Sequence, residues 1–282
     1  MRIMFFLLLA VAALAAPPQR IISTAPSFTE TLFALGAGDR VIAVSTYCHY
    51  PTAVDKLPRI GSYLQPNIEV IAKMKPDLVL VHAEQKQALQ QLNGLGVRTL
   101  ALRNTSLEDT LRTVREVGSA VGLESEGVAM EARIRAELAA IEKRTASQPK
   151  RTLLFVVGRT PGRLDGMVAV GKGSFLNELI RIAGGQNVLF DSPVTYPKIS
   201  IEGVMRLTPD VIVDMGDMAV TTGVTESHIK SVVKLWEAKQ GIDAAKNKKV
   251  FAVAADIFVV PGPRVAEAAE AFAKMLHGKG YR

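Results

Sequence analysis

The chain has one cysteine, Cys48, in 282 residues. A lone thiol cannot close an internal disulfide, and it cannot build a zinc site from thiolates. Histidine is scarce too, with four in all. His49, His82, His228 and His277 stand apart, and none falls in an HExxH or HxxEH pattern. The G-x-S-x-G nucleophile elbow is absent. VGKGS at 170–174 has a lysine between glycines but lacks the spacing of a phosphate loop. It reads as a tight turn into a helix. GRTPGRLDG at 158–166 bends without matching a fingerprint. Cys48 and His49 are adjacent, and on an extended segment their side chains point to opposite faces. No enzyme activity is expected.

Charge is not concentrated either. The net charge is +7, and the tightest basic cluster is KNKK at 246–249, a solvated turn rather than a phosphate groove. No nucleic-acid partner is expected. Long apolar runs are missing except at the start, where MRIMFFLLLAVAALAAPP places Arg2 before an apolar stretch and small residues. That stretch is too short and wrongly flanked for a membrane span. It reads as a signal peptide over residues 1–16, with no cysteine behind it to carry a lipid. The expected product is soluble and exported.

What remains is an apolar fraction of 48%, enough to fill the cores of two compact domains. Residues 20–24 read as a strand. Pro26 and Ser27 make a bend, with Ser27, Thr29 or Glu30 serving the first turn of the helix that follows. VIAVS is a strand. NIEVIAKMKPDLVLV at 67–81 is a short helix, a proline stop and a continuous apolar strand of the kind covered on both faces. The second half repeats this grammar, most clearly in SIEGVMRLTPDVIVDM at 200–215. Glu69 aligns with Glu202, and Pro76–Asp77 with Pro209–Asp210. The spacing is domain-sized, so the plan is two α/β lobes. Their predicted spans are 19–122 and 150–282. Between them, 123–147 predicts one helix of about 24 residues, roughly 36 Å long. Val128, Ile134, Leu138 and Ile141 form its apolar stripe. Two lobes on a stiff helix leave a cleft between them for a ligand.

Aromatic residues make up only 6% of the chain, which makes their clustering informative. STYCHYP at 45–51 holds Tyr47 and Tyr50, Tyr63 follows, Tyr196 lies in the matching region of the second half, and Phe258 comes after the last strand. All are predicted on loops at strand ends, where open α/β sheets bind ligands. Facing one another across a cleft, such rings suit a large planar or macrocyclic ligand. His49 and His82 could ligate a metal carried by that ligand.

RIISTAPSFTETLFALGAGDRVIAVSTYCHYP, NIEVIAKMKPDLVLV, GKGSFLNELIRIAGGQNVLFD and ISIEGVMRLTPDVIV together resemble the helical-backbone (class III) periplasmic substrate-binding proteins of ABC transporters. Within that family they resemble the vitamin B12-binding members. The resemblance implies two Rossmann-like lobes, each a mainly parallel sheet with flanking helices, joined by one long rigid helix. It implies a periplasmic monomer with no intrinsic cofactor, carrying cobalamin or a related corrinoid to the permease dimer of an inner-membrane importer. It places the ligand against Tyr47, Tyr50, Tyr63, His82, Tyr196, Asp256 and Phe258. It also gives Glu69 and Glu202 the task of meeting arginines on the permease. Tyr63 and Tyr196 stand where the family has tryptophan, and His82 where it has another aromatic. Those departures open the alternative of haem, with Tyr47, His49 or His82 on the iron, or of a ferric siderophore held by Arg159 and Arg264.

Overall fold

The structure is a computed structural model, and it describes residues 16–216, 225–278 and 281. The expected signal peptide lies outside the described residues, apart from its last position.

Two sheets carry the fold. The first takes its strands in the order β2-β1-β3-β4, all parallel. They are β1 (Ile21–Ser23), β2 (Val41–Val44), β3 (Leu78–His82) and β4 (Thr99–Leu102). β3 is the apolar run read in the sequence, and its first four residues are buried. Helices α1 (Pro26–Ala34), α2 (Ile68–Lys73), α3 (Lys86–Gly94) and α4 (Leu107–Ala120) link and flank the strands. Phe28 and Leu32 of α1 fill one face of the sheet; Ile71 and Leu92, from α2 and α3, fill the other.

The second sheet is built on β5 (Arg151–Gly158), with β6 (Met167–Ala169), β7 (Gly185–Asn187), β8 (Lys198–Ile199), β9 (Val211–Asp214) and β10 (Val250–Ala252). β5, β7, β9 and β10 are parallel, but β6 and β8 extend the sheet antiparallel. β8 is two residues long and β6 lies in a segment bounded by Gly166 and Gly171, so both read as loop and the sequence does not predict the antiparallel flank. Helices α6 (Phe175–Ile182), α7 (Ile201–Leu207), α8 (Glu226–Glu237), α9 (Asp243–Lys246) and α10 (Val265–His277) complete this lobe.

The internal repeat extends to backbone detail. α2 and α7 each begin at a side-chain cap: Asn67 accepts from the Val70 N–H and Ser200 from the Gly203 N–H. Each is followed by a residue forced to positive φ just before proline, Lys75 at 49° and Thr208 at 42°. The aspartate after each proline then ties down the start of a strand in its own lobe. Asp77 Oδ2 accepts from the backbone N–H groups of Gln19 and Arg20, and Asp210 Oδ2 from the N–H and hydroxyl of Thr152. In both halves the proline–aspartate pair ends the helix and locks the neighbouring strand.

Helix α5 (Glu124–Thr145) runs between the lobes. Its 22 residues span about 33 Å. The buried face is Gly127, Glu131, Ile134, Leu138, Ile141 and Thr145. Val128 is a correction to the predicted stripe. One residue past Gly127, it is rotated out of that face and is 49% exposed. Gly127 is buried because α4 passes against it: a Cβ on Gly118 would lie 2.9 Å from the Gly127 Cα. The helix is also less of a free rod than the sequence implied. Ile134, Leu138 and Ile141 belong to one apolar cluster with Leu107 and Leu111 of α4 and with Leu179 and Phe272 of the second lobe. The lobes therefore share a core through α5.

Candidate functional site

A cleft of about 390 Å³ opens where the loops after β1, β2 and β3 meet the loop after β10. From the first lobe, Ala25, Pro26 and Ser27 form its floor at the start of α1, and Tyr47, Tyr63, Leu64 and His82 form its wall. The second lobe supplies Asp256, Val259, Val260 and Pro261. These are the carboxyl ends of parallel strands, where the backbone turns and side chains are free to face a ligand.

The wall is a continuous aromatic run. The rings of Tyr47 and Tyr63 meet edge to face at 5.9 Å and those of Tyr63 and His82 at 6.2 Å, while His82 and Phe28 are tilted against each other at 4.7 Å. Phe28 is fully buried and anchors the run from below. Burial lowers the pKa of His82, with Glu84 partly restoring it, so the imidazole is neutral near pH 7. Tyr196 comes from the other lobe. Its hydroxyl lies 3.3 Å from Ser174 Oγ, at the cap of α6. Desolvation raises its pKa against that hydrogen bond, and the Tyr63 phenol raises it further. Tyr196 is not among the residues that line the cleft. Gly171 makes the approach of the Tyr196 loop possible, since a Cβ there would fall 2.3 Å from the Val194 carbonyl oxygen.

The other sequence-predicted residues are dispersed. Phe258 is not on the cleft surface: it is 4% exposed and packs on Phe155 and Phe272 in the second core. The short helical turn at 256–258 sends its ring inward while Asp256 faces the cleft. Tyr50 lines a neighbouring groove, with its ring 3.9 Å under the guanidinium of Arg264. His49 is half-buried and is not among the cleft-lining residues. Neither arginine considered for an anionic chelate is free. Arg159 is buried, with Nε 2.9 Å from Asp214 Oδ2. Arg264 makes a two-pronged pair with Glu30, at 2.9 and 2.6 Å. Glu30 therefore serves the other lobe rather than the first turn of α1. Ser27 accepts instead from Asn104, and Thr29 donates to Ser23. The α1 cap itself, Ala25, has no side chain to contribute.

Cys48 is buried, its sulfur 3.2 Å from both Ser45 Oγ and Thr29 Oγ1, and burial pushes the thiol pKa up. It is a packed small residue, not a nucleophile. Among the described residues no cluster of His, Cys, Asp or Glu could hold a metal ion. Sequence reasoning missed Leu64 and the Val259–Pro261 stretch of the lining. They are apolar loop residues, indistinguishable from core positions without the fold.

Residues 21–257 match the periplasmic binding protein family. The chain belongs to that family. This periplasmic binding protein is 29% identical over 268 residues to the uncharacterized ABC transporter substrate-binding lipoprotein YvrC of Bacillus subtilis, covering 92% of this chain and 80% of that protein. Among solved structures it resembles the vitamin B12-binding protein BtuF of Vibrio cholerae, at 27% identity and a TM-score of 0.76, over 92% of this chain and 97% of that one. A heme-binding protein from Pseudomonas aeruginosa shares the fold, at 23% identity and a TM-score of 0.80, over 93% and 94% of the two chains. The protein is the substrate-binding component of an ABC importer, with a role in binding and transport. No helix among the described residues is long and apolar enough to cross a membrane.

Proposed function

We propose that the cleft binds cobalamin or a related corrinoid, and that a soluble periplasmic monomer carries it to the permease dimer of the importer. The observation that carries this reading is the Tyr47–Tyr63–His82 wall; Tyr196, from the other lobe, is proposed to meet the ligand from the opposite side. Flat ring faces and edges suit a macrocycle, and the phenols offer hydrogen bonds to its amide side chains. Charge supports the same choice. Among the cleft-lining residues Asp256 is the sole charged group. Haem propionates and ferric siderophores are anions that call for cations, and the two arginines considered for that task, Arg159 and Arg264, are held by carboxylates. A neutral or cationic corrinoid has no such need.

Haem is the second reading, favoured by the neutral imidazole of His82 in the wall; Tyr47 and His49 are the other candidate iron ligands. The separating experiment mixes purified protein with cyanocobalamin, haemin or a ferric siderophore and follows co-elution and visible spectra. Cyanocobalamin bands travelling with the protein are expected. A shifted Soret band without cobalamin binding would replace the corrinoid by haem.

Glu69 and Glu202 are proposed to meet the permease. Each is exposed at the second residue of its helix, in equivalent positions of the repeat. The Glu202 carboxyl is held below its usual pKa, first by its own backbone N–H and then by Ser200. Two separated charges orient a docking protein and speed its encounter. Changing both to alanine should leave ligand affinity unaltered and cut uptake into cells by at least about tenfold. Wild-type uptake in the double variant would remove them from the docking surface.

A further inference from the structure

Among the described residues three polar contacts cross directly between the lobes. Asn104 Nδ2 donates to Ser27 Oγ in its own lobe and to the Pro261 carbonyl in the other. The Leu107 N–H donates to Glu178 Oε1 of α6. The third is Glu30 with Arg264, residues 234 positions apart in sequence. The Glu30 side chain is 2% exposed and that of Arg264 19%. Burial pushes the Glu30 carboxyl up, and the Arg264 guanidinium pulls it back. Such a pair is not needed for stability, because well-packed apolar residues could fill the same space. What it does supply is a fixed geometry. The guanidinium fork accepts one arrangement of the carboxylate, and the Tyr50 ring covers its face at 3.9 Å. Gly262 leaves the room: a Cβ there would lie 3.3 Å from Glu30 Oε2.

The pair is also close to the site in the chain. Glu30 lies one helical turn beyond Pro26 and Ser27, on the same helix. Arg264 caps α10 and follows Pro261 by three residues. Ser27 and Pro261 line the cleft from opposite lobes. A shift in the ion pair is thus a shift in the floor.

We infer that Glu30 and Arg264 are positioning residues: their ion pair, covered by Tyr50, fixes the spacing between the Tyr63 wall and the second lobe's side of the cleft, Asp256 and Val259–Pro261. The inference rests on the cleft being the ligand site, but the spacing can be measured without a ligand. It also gives Tyr50 a role distinct from touching the ligand. The ring holds the arginine that holds the lobes.

The test places nitroxide labels at Gln87→Cys on α3 and Asp191→Cys after β7, both exposed; the native Cys48 is buried and unreactive to the label. Pulsed electron resonance on the full chain should give one narrow distance in the parent. Arg264→Ala should broaden it, and Arg264→Lys should fall between, with unchanged circular dichroism. Cyanocobalamin affinity should drop in the same order, by about tenfold for Arg264→Ala, since a site that is open for part of the time binds in proportion to its competent fraction. If Arg264→Ala does not fold, Glu30→Asp, one methylene shorter, should broaden the distance instead. A parent-like distribution in a folded Arg264→Ala or Glu30→Asp variant overturns the inference. So does a broadened one with unaltered affinity. If the parent binds neither cyanocobalamin nor haemin, the ligand reading fails alone, and the distances still decide the role of the pair.

Discussion

Replacing Tyr63 and Tyr196 together by alanine is expected to weaken cyanocobalamin binding by about 3 kcal/mol, roughly 150-fold. The two rings come from different lobes, and in the proposed reading a bulky ligand on the Tyr63 wall reaches Tyr196 as well. Each loses a large flat contact, and each loses a hydroxyl that pairs with an amide. Neither loss should unfold the protein, because the residues are 38% and 44% exposed. Phenylalanine at both positions should recover most of the binding, since it restores ring area and omits only the hydrogen bonds. Titration calorimetry at constant salt measures all three proteins. Parent-like affinity in the alanine pair would place the ligand elsewhere.

The fold was legible because the repeat is written in residues with strong local effects. Pro76–Asp77 and Pro209–Asp210 each stop a helix and start a strand, and no tertiary context is needed to see it. Apolar strands such as Leu78–His82 are recognisable because both their faces are covered. The antiparallel flank of the second sheet escaped because β8 is two residues long and β6 sits in a segment bounded by Gly166 and Gly171, which reads as loop. The site was legible in part. Tyrosines stand out in a chain with five of them, and rarity and loop position single out Tyr47 and Tyr63, which line the cleft, along with Tyr196, which does not. Phe258 failed on the same criterion, because an aromatic at a strand end serves a core as readily as a cleft. Arg159, Arg264 and Glu30 failed for a different reason. A charge in a sequence looks solvated, and only the fold reveals a partner 55 or 234 residues away.

Arg159→Met is expected to cost about 3–5 kcal/mol of stability, because it strands a buried carboxylate. The side chains of Arg159 and Asp214 are 2% and 0% exposed. Asp214 also accepts from Trp236 Nε1 at 2.7 Å and from the Gly216 N–H at 2.6 Å. Those two donors remain in the variant, but they do not balance a full charge. Adding Asp214→Asn should therefore recover part of the loss, about 1 kcal/mol, since the amide removes the stranded charge and its oxygen can still accept from Trp236, while its NH2 turns towards the Gly216 N–H and cannot pair with it. The coupling between the two changes is the sign that the arginine serves the fold. Trp236 is the chain's only tryptophan, so its fluorescence during urea unfolding reports on this spot directly. The siderophore alternative predicts the reverse pattern for the single variant. An arginine kept for an anionic chelate would leave stability within about 0.5 kcal/mol of the parent and abolish chelate binding. Since Arg159 already has its carboxylate, the unfolding midpoint should move and ligand selectivity should not.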